Sequence, residues 1–177
     1  MGGDACSDHE LLRKAQRVRI LFTDCDGVLT DAGVYYSAGG EQLKRFHIRD
    51  GMGVERLRTL AGVETATISG ETSPALRHRA AKLQIHECHL GIRQKAPVLQ
   101  AAAKRLGVDL ADAAYIGDDV NDLESMALVG LSACPADAMV EVIDRVDFVC
   151  ELNGGQGAFR EFAEMIIRAH ASCGSGL

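Results

Sequence analysis

Arg19-Ile20-Leu21-Phe22-Thr23-Asp24-Cys25-Asp26-Gly27-Val28-Leu29-Thr30-Asp31 is the stretch whose reading decides the fold. A short apolar run ends abruptly in carboxylates. The same pattern recurs where Ala113-Ala114-Tyr115-Ile116 leads into Gly117-Asp118-Asp119-Val120-Asn121-Asp122. Both apolar runs read as buried strands. Burying several negative charges together is costly unless protons or a cation compensate them. Hard oxygen ligands from one or two carboxylates suit Mg²⁺, usually shared with a substrate phosphate. The two stretches therefore point to a metal-assisted phosphoryl-transfer site.

Outward from these strands, residues 7–17 read as a short amphipathic helix with Leu11, Leu12 and Ala15 on one side. A first strand is expected over residues 18–24. Val34-Tyr35-Tyr36-Ser37 and residues 42–48 flank Ala38-Gly39-Gly40-Glu41, which is a β-hairpin signal. Helices are expected at 51–61, 73–83, 94–106, 120–128, 137–145 and 157–171. Strand candidates lie between them at 64–69, 86–90, 113–117, 131–134 and 148–150. Strands alternating with helices imply an α/β fold, a doubly wound parallel sheet. Ligands of such sheets bind outside the carboxyl ends of the strands, at a topological switch point. Asp24, Ser69 and Asp118 all fall at such ends. A single domain is expected over residues 1–177, with 172–177 as a frayed tail.

The 177 residues are 47% hydrophobic and 25% charged, a balance that supports a packed core. A net charge of −6 argues against nucleic acid as the main partner, because phosphate backbones attract basic surfaces. No apolar run reaches about 18 residues, so no membrane span is expected. The N-terminus lacks the apolar region of a signal peptide. Six cysteines stand at 6, 25, 88, 134, 150 and 173 without a Cys-x-x-Cys pair. Four of them fall within apparent strands, where Cys behaves as a small hydrophobe. A reducing cytoplasm is the expected setting. His86-Glu87-Cys88-His89 fits no regular zinc spacing.

Each candidate site residue has an ordinary reading when taken alone. Asp24 as nucleophile would attack phosphorus and form an aspartyl-phosphate, splitting one hard step into two. Asp26, beyond it, would serve as general acid for the leaving alkoxide and then as base for water. A bare Asp-x-Asp is also common turn chemistry. The Ser69 hydroxyl, ahead of Gly70, could bind a phosphate oxygen. Lys95, opening a helix, could neutralise nucleophile and phosphate, although a helix lysine is usually solvated. Asp118 could bind the metal, supported by Asp119, Asn121 and Asp122, yet acidic residues starting a helix also serve as caps.

Taken together and in order, Asp24-x-Asp26-Gly27-x-x-Thr30, Ser69, Lys95 and Gly117-Asp118-Asp119-x-Asn121-Asp122 resemble the haloacid dehalogenase superfamily of phosphohydrolases. That resemblance implies a Rossmann-like sheet. It also implies Mg²⁺ held by the carboxylates of Asp24 and Asp118 and the backbone carbonyl of Asp26. Many relatives insert a cap domain after the first or second motif. Only 43 positions separate Asp26 from Ser69, and 26 separate Ser69 from Lys95, so neither gap holds a cap. An uncapped site is open to water, and a neighbouring subunit is the expected cover.

Leu29-Thr30-Asp31-Ala32-Gly33, Phe46-His47-Ile48-Arg49-Asp50-Gly51 and Gly154-Gly155-Gln156-Gly157-Ala158-Phe159-Arg160-Glu161 narrow the resemblance. They are similar to the capless subgroup that includes the 3-deoxy-D-manno-octulosonate 8-phosphate and nonulosonate 9-phosphate phosphatases. The subgroup implies a homotetramer whose protruding hairpins, about residues 34–48 here, meet in a central barrel. It implies that the C-terminal Gly-rich segment of one subunit lies near another's site. It also implies that Thr30, Arg49 and Asp50 lie near the substrate. Glu71, in place of the arginine typical of octulosonate enzymes, with Arg79 and Lys82 downstream, favours a nonulosonate (KDN or N-acetylneuraminate) 9-phosphate. Arg79 and Lys82 share a helix face at i, i+3, and an arginine can hold a sugar-acid carboxylate. The expectation is thus a Mg²⁺-dependent phosphatase of a sugar-acid phosphate, with the octulosonate 8-phosphate as the alternative substrate. A reading of another class is a non-catalytic tetramerisation module of a cytidylyltransferase system. The intact acidic residues oppose it.

Overall fold

The computed structural model describes residues 8–173. Helix α1 (Asp8–Arg17) precedes β1 (Ile20–Thr23). An antiparallel hairpin of β2 (Thr30–Ser37) and β3 (Gly40–Phe46) follows, then α2 (Ile48–Arg56), which continues as a π-helical turn over Leu57–Ala61. The chain goes on through β4 (Glu64–Ile68), α3 (Pro74–Lys82), β5 (Glu87–His89) and α4 (Lys95–Leu106) to β6 (Ala113–Ile116). A 3₁₀ turn over Val120–Asp122 leads into α5 (Leu123–Met126). The rest is β7 (Leu131–Cys134), α6 (Val140–Ile143), β8 (Phe148–Val149) and α7 (Ala158–Cys173).

The main sheet has the order β5-β4-β1-β6-β7-β8, and every pairing in it is parallel. Strands β4 and β5 build outward on one side of β1, whereas β6, β7 and β8 build on the other. The switch point therefore lies between β1 and β6, and the carboxylates after those two strands face each other across it.

Both faces of the sheet are buried, as parallel sheets require. Side chains alternate along each strand. Leu21, Ala114, Ile116, Leu131 and Ala133 pack with α1, α2 and α7. Ile20, Phe22, Ala113, Tyr115 and Cys134 pack with α4, α5 and α6. On α7, Phe159, Phe162, Ala163, Ile166 and Ala169 recur at helical spacing and form the inner face. Phe162 also stacks on Phe148, with ring centroids 5.9 Å apart.

The doubly wound sheet and the hairpin were legible in the sequence, but several boundaries moved. The hairpin begins at Thr30 and ends at Phe46, and α2 starts at Ile48 rather than 51. The expected helix over 120–128 is tightened at its start, because Asp122 turns inward to the site. The helix expected over 137–145 shrinks to Val140–Ile143. The last helix runs on to Cys173, so Ser172 is helical, and 174–177 lie outside the described residues. Cys88 and Cys134 are strand residues, whereas Cys25 and Cys150 sit just past strand ends. All four are free thiols. Cys6 lies outside the described residues. Among the described residues no helix is long and apolar enough to cross a membrane.

Candidate active site

Asp24 emerges from β1 almost wholly buried. Its Oδ1 accepts a hydrogen bond from the Cys25 amide at 2.6 Å, and Lys95 Nζ lies 2.8 Å from its Oδ2. Lys95 is the first residue of α4, and its side chain is 1% exposed. Its ammonium also lies 2.7 Å from Asp122 Oδ1. Burial pulls the Lys95 ammonium down, but the Asp24 and Asp122 carboxylates outweigh it and hold the pKa above its ordinary value.

Asp122 is fully buried, and both of its oxygens are engaged. Oδ1 accepts from Lys95 and from the Tyr115 hydroxyl at 2.7 Å. Oδ2 accepts from the Asp118 amide at 3.1 Å and the Asp119 amide at 3.4 Å. Asp119 and Asp122 form a reciprocal capping box over the 3₁₀ turn. The sequence reading missed Tyr115; a tyrosine in a buried strand needs a partner for its hydroxyl, which was the available signal.

Asp24, Asp118 and Asp122 offer oxygen atoms within 4.8 Å of one another, and they form a group able to hold a metal ion. Asp122 is already spent on Lys95, Tyr115 and two amides. Asp24 and Asp118 are therefore the pair with capacity left. Asp118 Oδ1 is buried with no hydrogen-bond partner. Burial and the neighbouring carboxylates raise Asp118 from 3.8 to about 8. Burial, with Asp122 beside it, raises Asp24 from 3.8 to about 7 despite Lys95. One ammonium does not balance three carboxylates, two of them buried and the third half-buried. An orphaned oxygen and uncompensated negative charge fit a hard divalent cation.

The loop glycine Gly27 is required here. Its φ is +86°, and a Cβ would stand 1.9 Å from Asp118 Oδ2. Gly154 and Gly155 pack against this same loop, where a Cβ on Gly154 would stand 1.8 Å from the Gly27 carbonyl oxygen. The Gly155 amide donates to Val28 O at 2.9 Å. Within the chain, then, the C-terminal Gly-rich segment buttresses its own first motif.

A cavity of about 240 Å³ opens beside these carboxylates, lined in part by Asp24, Asp26, Ser69, Gly70, Glu71 and Asp118. Asp119 and Asn121 stand on its exposed rim. Ser69 Oγ accepts from the Glu71 amide at 3.2 Å, which leaves its hydroxyl proton for a ligand. Thr30 is buried behind Asp26, with its Oγ1 3.3 Å from Asp26 Oδ1.

Other expected substrate contacts stand elsewhere in the chain. Asp50 is buried, and its Oδ1 accepts from the Arg160 amide at 3.0 Å, tying α2 to the start of α7. Arg79 donates to His47 O at 3.3 Å and lies over the Phe46 ring. Arg49 is exposed near Gln156 and Arg160, and Lys82 is exposed on α3. None of the four lines the 240 Å³ cavity. In His86-Glu87-Cys88-His89, Glu87 pairs with His89 at 2.9 Å and with Arg105.

A family profile for haloacid dehalogenase-like hydrolases matches residues 90–161. The 3-deoxy-D-manno-octulosonate 8-phosphate phosphatase KdsC of Haemophilus influenzae is 43% identical over 157 residues, 89% of this chain and 87% of that protein. The chain belongs to the haloacid dehalogenase-like hydrolases. KdsC of Escherichia coli K12 is 36% identical over 160 residues, 90% of this chain and 85% of its own length. The cobalt-bound H. influenzae phosphatase superposes with a TM-score of 0.87 at 42% identity, covering 89% of this chain and 92% of that one. The Moraxella catarrhalis phosphatase, solved with magnesium, phosphate and KDO, gives 0.89 at 31% identity, covering 93% and 94%. These family members are phosphatases, so the non-catalytic reading loses ground. All are named as phosphatases of the eight-carbon sugar acid's 8-phosphate, and none of them supports the nine-carbon preference drawn from Glu71.

Proposed function

We infer that this chain is a Mg²⁺-dependent phosphatase of a 3-deoxy-2-keto sugar-acid phosphate, with 3-deoxy-D-manno-octulosonate 8-phosphate as the favoured substrate. The observation that carries this reading is the pairing of buried Asp24 with half-buried Asp118 at the sheet's switch point, with Asp118 Oδ1 unpartnered. The eight-carbon choice follows the relatives at 43% and 36% identity.

Asp24, Asp118 and the Asp26 backbone carbonyl would hold Mg²⁺, which supplies charge neutralisation to the phosphate oxygens. The Asp24 carboxylate attacks phosphorus as the ester P–O bond breaks, and Asp26 gives its proton to the departing alkoxide. Asp26 then takes a proton from the water that cleaves the aspartyl-phosphate, releasing phosphate and restoring Asp24. The Ser69 hydroxyl, the Gly70 backbone and the Lys95 ammonium hold the transferred group, while Asp122 and Tyr115 fix Lys95 in place.

Residues 1–177 act in this reading as one capless domain, and a homotetramer completes the open site. Tyr35, Tyr36 and Leu43, each more than 60% exposed on the hairpin, support such an assembly. Free cysteines support a cytoplasmic setting. Glu71 on the cavity wall keeps the nine-carbon acids as the second reading.

Phosphate release with Mg²⁺ from octulosonate 8-phosphate, nonulosonate 9-phosphates and p-nitrophenyl phosphate decides between these. Tenfold or greater kcat/KM preference for the eight-carbon ester is expected, with Asp24→Asn inactive. A nine-carbon preference reverses the substrate assignment. Asp24-independent release removes the mechanism.

A further inference from the structure

Lys44 is one of two adjacent basic residues on β3 whose side chains go opposite ways. Arg45 is 54% exposed and makes a surface pair with Asp31. The Lys44 side chain is fully buried, and its ammonium lies 2.5 Å from Asp26 Oδ1. A buried ammonium is costly unless it meets a carboxylate at close range. Here the partner is Asp26, and because the ammonium holds Oδ1, the proton assigned above to the leaving group has to be carried on Oδ2.

The contact belongs to a relay between separate elements. Glu41 Oε2 lies 3.7 Å from the same ammonium, and Glu41 Oε1 accepts from the Ser73 hydroxyl at 2.6 Å. Ser73 in turn caps α3, accepting from the Leu76 amide at 3.2 Å. The hairpin is thus pinned to the segment that follows Ser69 on the cavity wall. On the other side, Thr30 Oγ1 donates to Asp26 Oδ1. Both hydrogen bonds to Asp26 fall on Oδ1, which leaves Oδ2 for the cavity that Asp26 lines.

We propose that Lys44 is a positioning residue: it fixes the Asp26 carboxylate so that one oxygen faces the leaving group of the bound phosphate ester. This rests on the reading of Asp26 as general acid. Without the ammonium, Asp26 is held on that side by Thr30 alone and rotates about χ1 and χ2. A proton donor must stand within hydrogen-bond reach of the departing oxygen, so a freely rotating one delivers less of its effect. Lys44 touches neither substrate nor phosphate in this role. Its influence therefore depends on how much the leaving group needs a proton.

The test is kcat/KM, which reports the chemistry through leaving-group departure, for Lys44→Met on two esters. Octulosonate 8-phosphate releases an alkoxide that must be protonated. p-Nitrophenyl phosphate releases a stable phenolate that need not be. General acid catalysis contributes about 10²–10⁴-fold, and a mispositioned acid forfeits part of it. The variant is expected to lose roughly 10–100-fold on the sugar-acid ester, with a loss at least tenfold smaller on the aryl ester. Equal losses on both esters would make Lys44 a phosphate-binding or purely structural residue and overturn the proposal, as would no loss on either. Lys44→Gln keeps a hydrogen-bond donor without the charge, and it carries the same comparison if the Met variant fails to fold. Asp26→Asn separates the two levels: if it too shows no leaving-group dependence, the assignment of Asp26 fails rather than that of Lys44.

Discussion

Lys95 is held as closely by Asp122, at 2.7 Å, as by the nucleophile candidate Asp24, at 2.8 Å. Asp24 and Asp122 together keep the ammonium charged and fixed inside the fold. Asp122→Ala leaves Lys95 with one partner and orphans the Tyr115 hydroxyl and two amides. Breaking a buried ion pair from one side costs about 3–5 kcal/mol. Urea unfolding of the metal-free protein should show a loss of that size. A change under about 1 kcal/mol would mean that the network contributes little.

Asp118→Asn should act in the opposite direction on stability. The wild-type carboxyl is raised to about 8 because its charge is unwelcome in the metal-free site. Removing that charge is expected to raise metal-free stability by about 0.5–2 kcal/mol while abolishing Mg²⁺-dependent turnover. Thermal melts and phosphate release on one sample check both halves.

Mg²⁺ stabilisation should grow with pH. The folded-state values of Asp24, about 7, and Asp118, about 8, both lie above the ordinary 3.8. Protonated carboxyls therefore favour the metal-free fold at low pH, and that contribution is lost as pH rises through about 7 to 8. Metal ligands must shed those protons, so affinity runs the other way. The Tm increment from saturating Mg²⁺ should be larger at pH 8.5 than at pH 6. An equal or smaller increment would place the cation elsewhere.

Gly27→Ala should eliminate metal-dependent activity. The added methyl stands 1.9 Å from Asp118 Oδ2, and φ is already +86°. A non-glycine residue there costs about 1–2 kcal/mol in backbone strain alone. Mg²⁺ titration by thermal shift should show no saturable response, whereas Gly40→Ala on the hairpin, strained alike at φ +96° but with open space around it, should titrate normally.

Light scattering of the wild type should report an oligomer at micromolar concentration. Tyr35→Glu with Leu43→Glu charges two hairpin side chains that are each 63% exposed, so the subunit fold is expected to survive while the assembly dissociates. A monomeric wild type would leave the cavity without the neighbour proposed to cover it.

The sequence by itself determined the alternation of strands and helices, the strand-end placement of Asp24, Ser69 and Asp118, and the acidic motifs. These are local features: a period, an apolar run and the residues that stop it. Its substrate reading from Glu71, Arg79 and Lys82 went further than side-chain identity allows. Only the tertiary structure decided which charges meet. Asp122 is spent on Lys95 and Asp118 is left open because β6 and α4 bring them together from positions 27 residues apart. Lys44 reaches Asp26 through the hairpin's register, and Asp50 turns to the start of α7 rather than to the cavity. No spacing rule carries such pairings. They depend on how strands order in the sheet and which face each side chain takes, and both are settled by burying the whole core at once.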